Sequence, residues 1–200
     1  MNDKSFLDEV IKLLKKDEYV EAFNLLKKYK DKNINAKVIY AGMLFSKQFK
    51  KIKKDIPLAK KLLKEAVKEG DDEALRLLGI LYIEELHDTE KAIYYLEKAI
   101  GKNNTIAMVD LGSFYQLGEY GLEVNMMKAL NYYAKACRLG YEEGCISFNF
   151  LMSKMDKINK YEYIKENIGV RKYIYMGIKY ILKDLSKRIF NYQDYNISVK

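Results

Sequence analysis

The 200-residue chain has no tryptophan, one proline, one histidine and two cysteines. Each scarcity removes a class of explanation. A lone proline and eleven glycines leave no low-complexity linker, so one continuous domain is expected. No stretch approaches the roughly 20 uncharged apolar residues of a membrane-spanning helix. The start, Met1-Asn2-Asp3-Lys4-Ser5-Phe6, lacks the basic-then-apolar pattern of a secretory signal, and a cytoplasmic location is expected. The single histidine limits metal chemistry. Glu84-x-x-His87 puts a carboxylate and an imidazole on one helical face, but helical metal sites draw on a second such pair, and here there is none. No metal or cofactor is expected.

The content that remains, 49% hydrophobic and 32% charged, suits a soluble chain large enough for a core. A bias toward Lys, Ile, Asn and Tyr points to an AT-rich bacterial genome. The net charge of +8 is uneven: residues 1–70 sum to +8, residues 71–150 to −6 and residues 151–200 to +6. An acidic middle argues against a long groove for nucleic-acid phosphates, which would gather positive charge along one path. Lys47, Lys50, Lys51, Lys53 and Lys54 form the densest basic cluster and read as a solvated loop.

One short string recurs. Ala74-Leu75-Arg76-Leu77-Leu78-Gly79-Ile80-Leu81-Tyr82 returns as Ala107-Met108-Val109-Asp110-Leu111-Gly112-Ser113-Phe114-Tyr115. Gly42, Gly79 and Gly112 step by 37 and 33 residues, whereas Ala59, Ala92 and Ala129 step by 33 and 37. The reversal has one cause: only the loop between the two helices of a repeat changes length. Asp55, Asp88 and Asn125 each stand four residues before the alanine, where a side chain can cap a starting helix. Pro57 falls in the first turn, where a missing N–H does no harm. Fixed-period similarity implies helical pairs that bury their apolar faces by stacking.

The motif A-x-x-x-L-G-x-x-Y, a loop ending D-x-x-x-A and a second helix ending A-x-x-x-G resembles the Sel1-like repeat, a relative of the tetratricopeptide repeat. Its best copy runs from Gly112 to Gly140, where Gly118-x-x-Gly121 reads as turn chemistry rather than a phosphate loop. The resemblance implies an all-α fold, a right-handed α-solenoid of stacked antiparallel helix pairs, used to hold other proteins and without a shared catalytic residue. The expected organisation is a degenerate N-terminal hairpin over 1–34, capped by Ser5-x-x-Asp8, then repeats over 35–156 and C-terminal capping helices and a tail over 157–200. Within that last part Val170 to Phe190 carries apolar residues at helical spacing. The surrounding tyrosines, Tyr161, Tyr163, Tyr173, Tyr175, Tyr180, Tyr192 and Tyr195, read as cap residues with buried rings.

Cys137 and Cys145 lie in a string that resembles the family's cysteine-rich branch, whose exported members join such positions by a disulfide. The equivalent residues elsewhere are Val67 with Leu75 and Ile100 with Met108, so the pair also reads as small core residues in contact. Without an export pattern, free thiols are the favoured expectation. Some members of that branch carry a beta-lactamase label. No serine of this chain has a lysine three residues later, which acyl-serine chemistry of that type needs, and no catalytic residue is expected.

If the first helix of each pair lines the concave face, the groove set is Ile39, Met43 and Ser46; Arg76, Ile80 and Ile83; Val109, Ser113 and Gln116; Ile146, Phe150 and Ser153. Seven of these twelve are Ile, Met, Val or Phe, a composition that marks an interaction site when exposed. The expected function is therefore a non-enzymatic scaffold for a protein or peptide, with Arg76, Gln116 and the acidic central repeats giving polar selectivity. The alternatives are a cytosolic immunity protein that neutralises a bacterial toxin, and nucleic-acid binding through the basic ends.

Overall fold

The computed structural model describes residues 3–155 and Tyr163. The described residues form nine α-helices: α1 (Asp3–Lys15), α2 (Tyr19–Tyr29), α3 (Ile34–Met43), α4 (Ile56–Lys68), α5 (Asp72–Glu84), α6 (Thr89–Gly101), α7 (Thr105–Leu117), α8 (Met126–Arg138) and α9 (Glu142–Lys154). A short 3-10 turn, Glu119–Gly121, lies between α7 and α8. Successive helices pack antiparallel into pairs, α1/α2 through α7/α8, and the pairs stack in chain order into a solenoid.

Helix starts follow from single side chains. Asp55 Oδ1 accepts from Leu58 N at 3.0 Å, Asp88 Oδ1 from Lys91 N at 3.0 Å and Asn125 Oδ1 from Lys128 N at 2.9 Å, as the spacing predicts. Asn33, Asp71 and Asn104 do the same for α3, α5 and α7. Each such cap is worth about 1 kcal/mol. Pro57 is the second residue of α4. Ser5 departs from expectation: α1 begins at Asp3, so Ser5 lies inside the helix rather than at its N-cap. The turns that join one pair to the next pass through the left-handed region at Gly70, Asn103 and Gly140.

The alanine anchors Ala22, Ala59, Ala92 and Ala129 are fully buried, as are Leu26, Leu63 and Leu96 one turn later. Gly79 and Gly112 explain the invariance of the first anchor. A Cβ on Gly79 would sit 2.8 Å from the Leu96 side chain, and one on Gly112 would sit 2.7 Å from the Tyr133 ring. No side chain fits where the two helices of a hairpin cross so closely. Leu75, Leu78 and Tyr82 pack into the core with Met108 and Leu111, whereas Tyr115 is half-buried and stacks on Tyr132.

The last pair closes on a residue from beyond α9. Tyr163 is buried, its ring 6.2 Å from that of Phe148, and its hydroxyl donates to Asn131 Oδ1 at 3.0 Å. The expected capping helix over Val170 to Phe190, and the other tail tyrosines, lie outside the described residues. Among the described residues no helix is long and apolar enough to cross a membrane.

Candidate functional site: the concave groove

Among the first helices of the pairs, α3 touches α5 and α7 touches α9. With α5 beside α7 in chain order, these four are the helices expected to line the concave face. Between α3 and α5 this face opens into a cavity of about 390 Å³. Five residues of the expected groove line it: Ile39, Met43, Ser46, Arg76 and Ile80. Leu14, Phe45, Phe49 and Leu77 add further apolar wall, and Glu84 stands at its edge.

Farther along, Val109, Ser113 and Gln116 of α7 are half-buried, while Ile146 and Phe150 of α9 are 46% and 54% exposed. Ser153 is exposed as well, and its hydroxyl donates to the Phe150 carbonyl. Two expected groove positions need correction. Ile83 is 1% exposed and belongs to the core. The α3–α4 loop is pinned against the end of α5 by Lys54 Nζ on Glu85 Oε1 at 2.6 Å, and of the last turn of α5 only Glu84 lines the cavity. Met43 is 2% exposed and forms cavity floor rather than open surface.

Arg76 and Gln116 are also differently employed. The Arg76 guanidinium donates to Glu73 Oε1 and Oε2 at 2.6 and 2.8 Å, and to Asp110 Oδ2 on the next repeat at 2.7 Å. Asn104, while capping α7 through its oxygen, donates from Nδ2 to Asp72 Oδ2 at 2.8 Å. The result is a polar clasp between α5 and α7 across the groove floor. Burial works against the Arg76 charge, but the bonds to Glu73 and the charge of Asp110 outweigh it and hold the guanidinium protonated. Burial pushes the Asp110 carboxyl up, with Arg76 opposing. Gln116 Oε1 accepts from the Tyr133 hydroxyl at 2.9 Å. Both residues therefore hold the scaffold together.

Cys137 and Cys145 are joined by a disulfide, in place of the free thiols expected. Their Cα atoms are 4.5 Å apart because α8 and α9 cross at Gly144, where a Cβ would meet that of Ala136 at 2.6 Å. His87 follows α5 in a left-handed conformation, with Glu84 inside the helix. Among the described residues no group of three His, Cys, Asp or Glu converges to hold a metal. Gly118 and Gly121 have φ of 68° and 78° and serve the turn before α8.

Leu77, Phe45 and Phe49 are cavity residues that the sequence did not single out, and Glu84 was considered there only beside His87. Their signal is present but ambiguous: α5 is apolar around much of its circumference, so Leu77 reads equally well as a core residue.

The Sel1 repeat model matches residues 39–71, 72–104 and 105–141, about half of the chain. No curated protein matches the sequence. Among solved structures, a Sel1 repeat protein from Oxalobacter formigenes superposes with a TM-score of 0.51 at 22% identity, covering 78% of this chain and 66% of that one. The protein c5321, a protective antigen present in uropathogenic Escherichia coli strains and displaying an SLR fold, superposes with a TM-score of 0.52 at 16% identity, covering 84% and 37%. The chain thus spans only part of the length of both. These likenesses concern the fold, and the three matched repeats concern the family. The chain belongs to the Sel1 repeat family.

Proposed function

We propose that the concave groove binds a segment of another protein and that the chain acts as a non-enzymatic scaffold. The Sel1 repeat fold is a protein-interaction scaffold type. The observation that carries the finer reading is the apolar cavity between α3 and α5, lined by Ile39, Leu77 and Ile80 and continued along the face by the exposed Ile146 and Phe150. Apolar side chains left open to water along one face favour a partner that covers them.

The disulfide bears on location. Such bonds persist in oxidising compartments, so the Cys137–Cys145 bond favours one over the cytoplasm expected from the sequence, and weighs against the cytosolic immunity-protein reading.

The test is affinity capture from an extract of the native host, with nuclease added, comparing wild type with the Ile80→Glu, Val109→Glu double variant. Circular dichroism first establishes that the variant is folded. A protein retained by wild type and lost by the variant supports groove binding. The same proteins retained by both would sink it, and retention only without nuclease would shift the reading to nucleic acid at the basic ends.

A further inference from the structure

The second helices differ from one another on their outer side. Helix α4 packs on α3 and α5 and buries Ala59, Leu62, Leu63 and Ala66. At about 100° per residue, Lys61, Lys64 and Lys68 fall opposite that buried face, and all three are exposed. Helix α2, the second helix of the preceding pair, repeats the arrangement: Ala22 and Leu26 are buried, while Lys27 and Lys28 are exposed.

These five lysines have no ion pair among the described residues, where the paired lysines are Lys12, Lys30, Lys37, Lys54 and Lys91. Lys60, the remaining lysine of the two helices, lies over the Tyr82 ring at 4.7 Å. Few carboxylates stand near enough to neutralise the row. Glu21 and Glu65 are those of α2 and α4; Asp31 is held by Lys30, Glu69 by Lys37, and Glu97 of α6 accepts from the Tyr132 hydroxyl.

The fold does not require the row. The positions of Lys61, Lys64 and Lys68 hold Tyr94, Glu97 and Gly101 in α6 and Asn131, Ala134 and Arg138 in α8, and both helices form. Like charges three and four residues apart on one helix repel, so the lysines weaken α4 rather than support it.

We infer that the outer side of α2 and α4 is a docking surface for an anionic phospholipid bilayer. The α4 row has no arginine to fork onto a single phosphate and no aromatic ring on which bases could stack. Point charges along the crest of a helix suit a diffuse layer of headgroups, to which each lysine adds attraction without exact geometry. Charge alone gives no permanent anchor, so the attachment is reversible. The Cys137–Cys145 bond, which favours an oxidising compartment, ranks a membrane surface above nucleic acid as the occupant. No residue of α2 or α4 lines the α3–α5 cavity, so the groove stays open while the outer side rests on lipid. The inference does not depend on the groove reading.

The test is co-sedimentation of the full chain with vesicles of phosphatidylglycerol and phosphatidylcholine in equal parts, against vesicles of phosphatidylcholine alone. Wild type is expected to sediment only with the anionic vesicles at about 50 mM salt and to be released at about 500 mM. The triple variant Lys61→Gln, Lys64→Gln, Lys68→Gln should lower the partition coefficient by about fivefold per lysine. The triple variant Lys47→Gln, Lys50→Gln, Lys51→Gln removes the same charge from the α3–α4 loop and should lower it far less. Circular dichroism checks that both are folded, and Lys64→Gln alone serves if the α4 variant is not.

Failure of wild type to sediment at low salt would overturn the inference. Equal losses in the two triple variants would also overturn it, by showing that binding follows net charge rather than the row. Tighter binding of single-stranded oligothymidylate, lost in the α4 variant, would assign the row to nucleic acid and sink the lipid reading. Tighter binding of an oligoglutamate peptide, lost in the same way, would assign it to an acidic protein with the same consequence.

Discussion

Arg76 has the position of a ligand-reading residue and the contacts of a structural one. Its guanidinium satisfies two carboxylates on neighbouring repeats, and with the side chain only 16% exposed the pair is largely out of water. Removing one partner of such a pair leaves uncompensated charge, a larger effect than the net worth of the pair itself. Arg76→Ala is therefore expected to lower stability by about 3 kcal/mol in urea unfolding. Arg76→Met combined with Asp110→Leu should recover most of that loss, because no charge is then stranded at Asp110. A loss under about 1 kcal/mol for Arg76→Ala would mean that the clasp behaves as an exposed pair. The partnership was illegible in the sequence. Arg76 and Asp110 are 34 residues apart, and which side chains meet across a stack depends on the rotation from one helix pair to the next. The burial of Ile83 is illegible for a related reason, since helical phase gives a direction but not what packs against it.

At the scale of elements, the parts of the fold legible in the sequence are those governed by local geometry. Asp55, Asp88 and Asn125 could be read as caps because a change of loop length exposed the boundary before each alanine. Asn33, Asp71 and Asn104 start the first helices of their pairs after short turns, where no such shift marks the boundary. Gly79 and Gly112 were legible as anchors, though their cause, a helix crossing too close for a Cβ, is visible only in three dimensions. Gly112→Ala should cost roughly 1–3 kcal/mol, since the Tyr133 ring must move, and a thermal melt unchanged from wild type would show that the ring moves freely. The disulfide is likewise an element-scale device. It joins the end of α8 to the start of α9 over an eight-residue separation, and loop-closure entropy gives such a short loop roughly 2–3 kcal/mol. Because a solenoid repeat touches only its neighbours, that stabilisation should be local. Reduction is expected to speed amide hydrogen exchange in α9 and leave α5 and α6 unchanged. Uniform acceleration along the chain would show that the repeats unfold as one unit.

Over the whole molecule, the repeat period made the architecture legible. The alternation of acidic first helices (α5, α7, α9) with the basic second helices α4 and α8 is finer than the charge sums over sequence thirds, which average across several helices. A set of tyrosines packed along the stack has a titration that reports on folding. Burial pushes Tyr163 up to about 12 and raises Tyr40, Tyr95, Tyr120, Tyr133 and Tyr141. Tyr132 is raised farther, by burial and then by its hydrogen bond to Glu97. An unfolded tyrosine loses its proton near pH 10, while these residues keep theirs in the folded state. The unfolded state then binds fewer protons, so stability is intact below about pH 10 and falls as the pH climbs toward about 12. Urea midpoints measured at intervals from about pH 8 to pH 11 should be flat at first and then decline. Tyr163→Phe should start from a lower midpoint, having lost the bond to Asn131, yet decline less steeply, because one raised phenol has been removed. A parallel decline in wild type and variant would mean that Tyr163 titrates as freely when folded as when unfolded, and its burial between α8 and α9 would have to be abandoned.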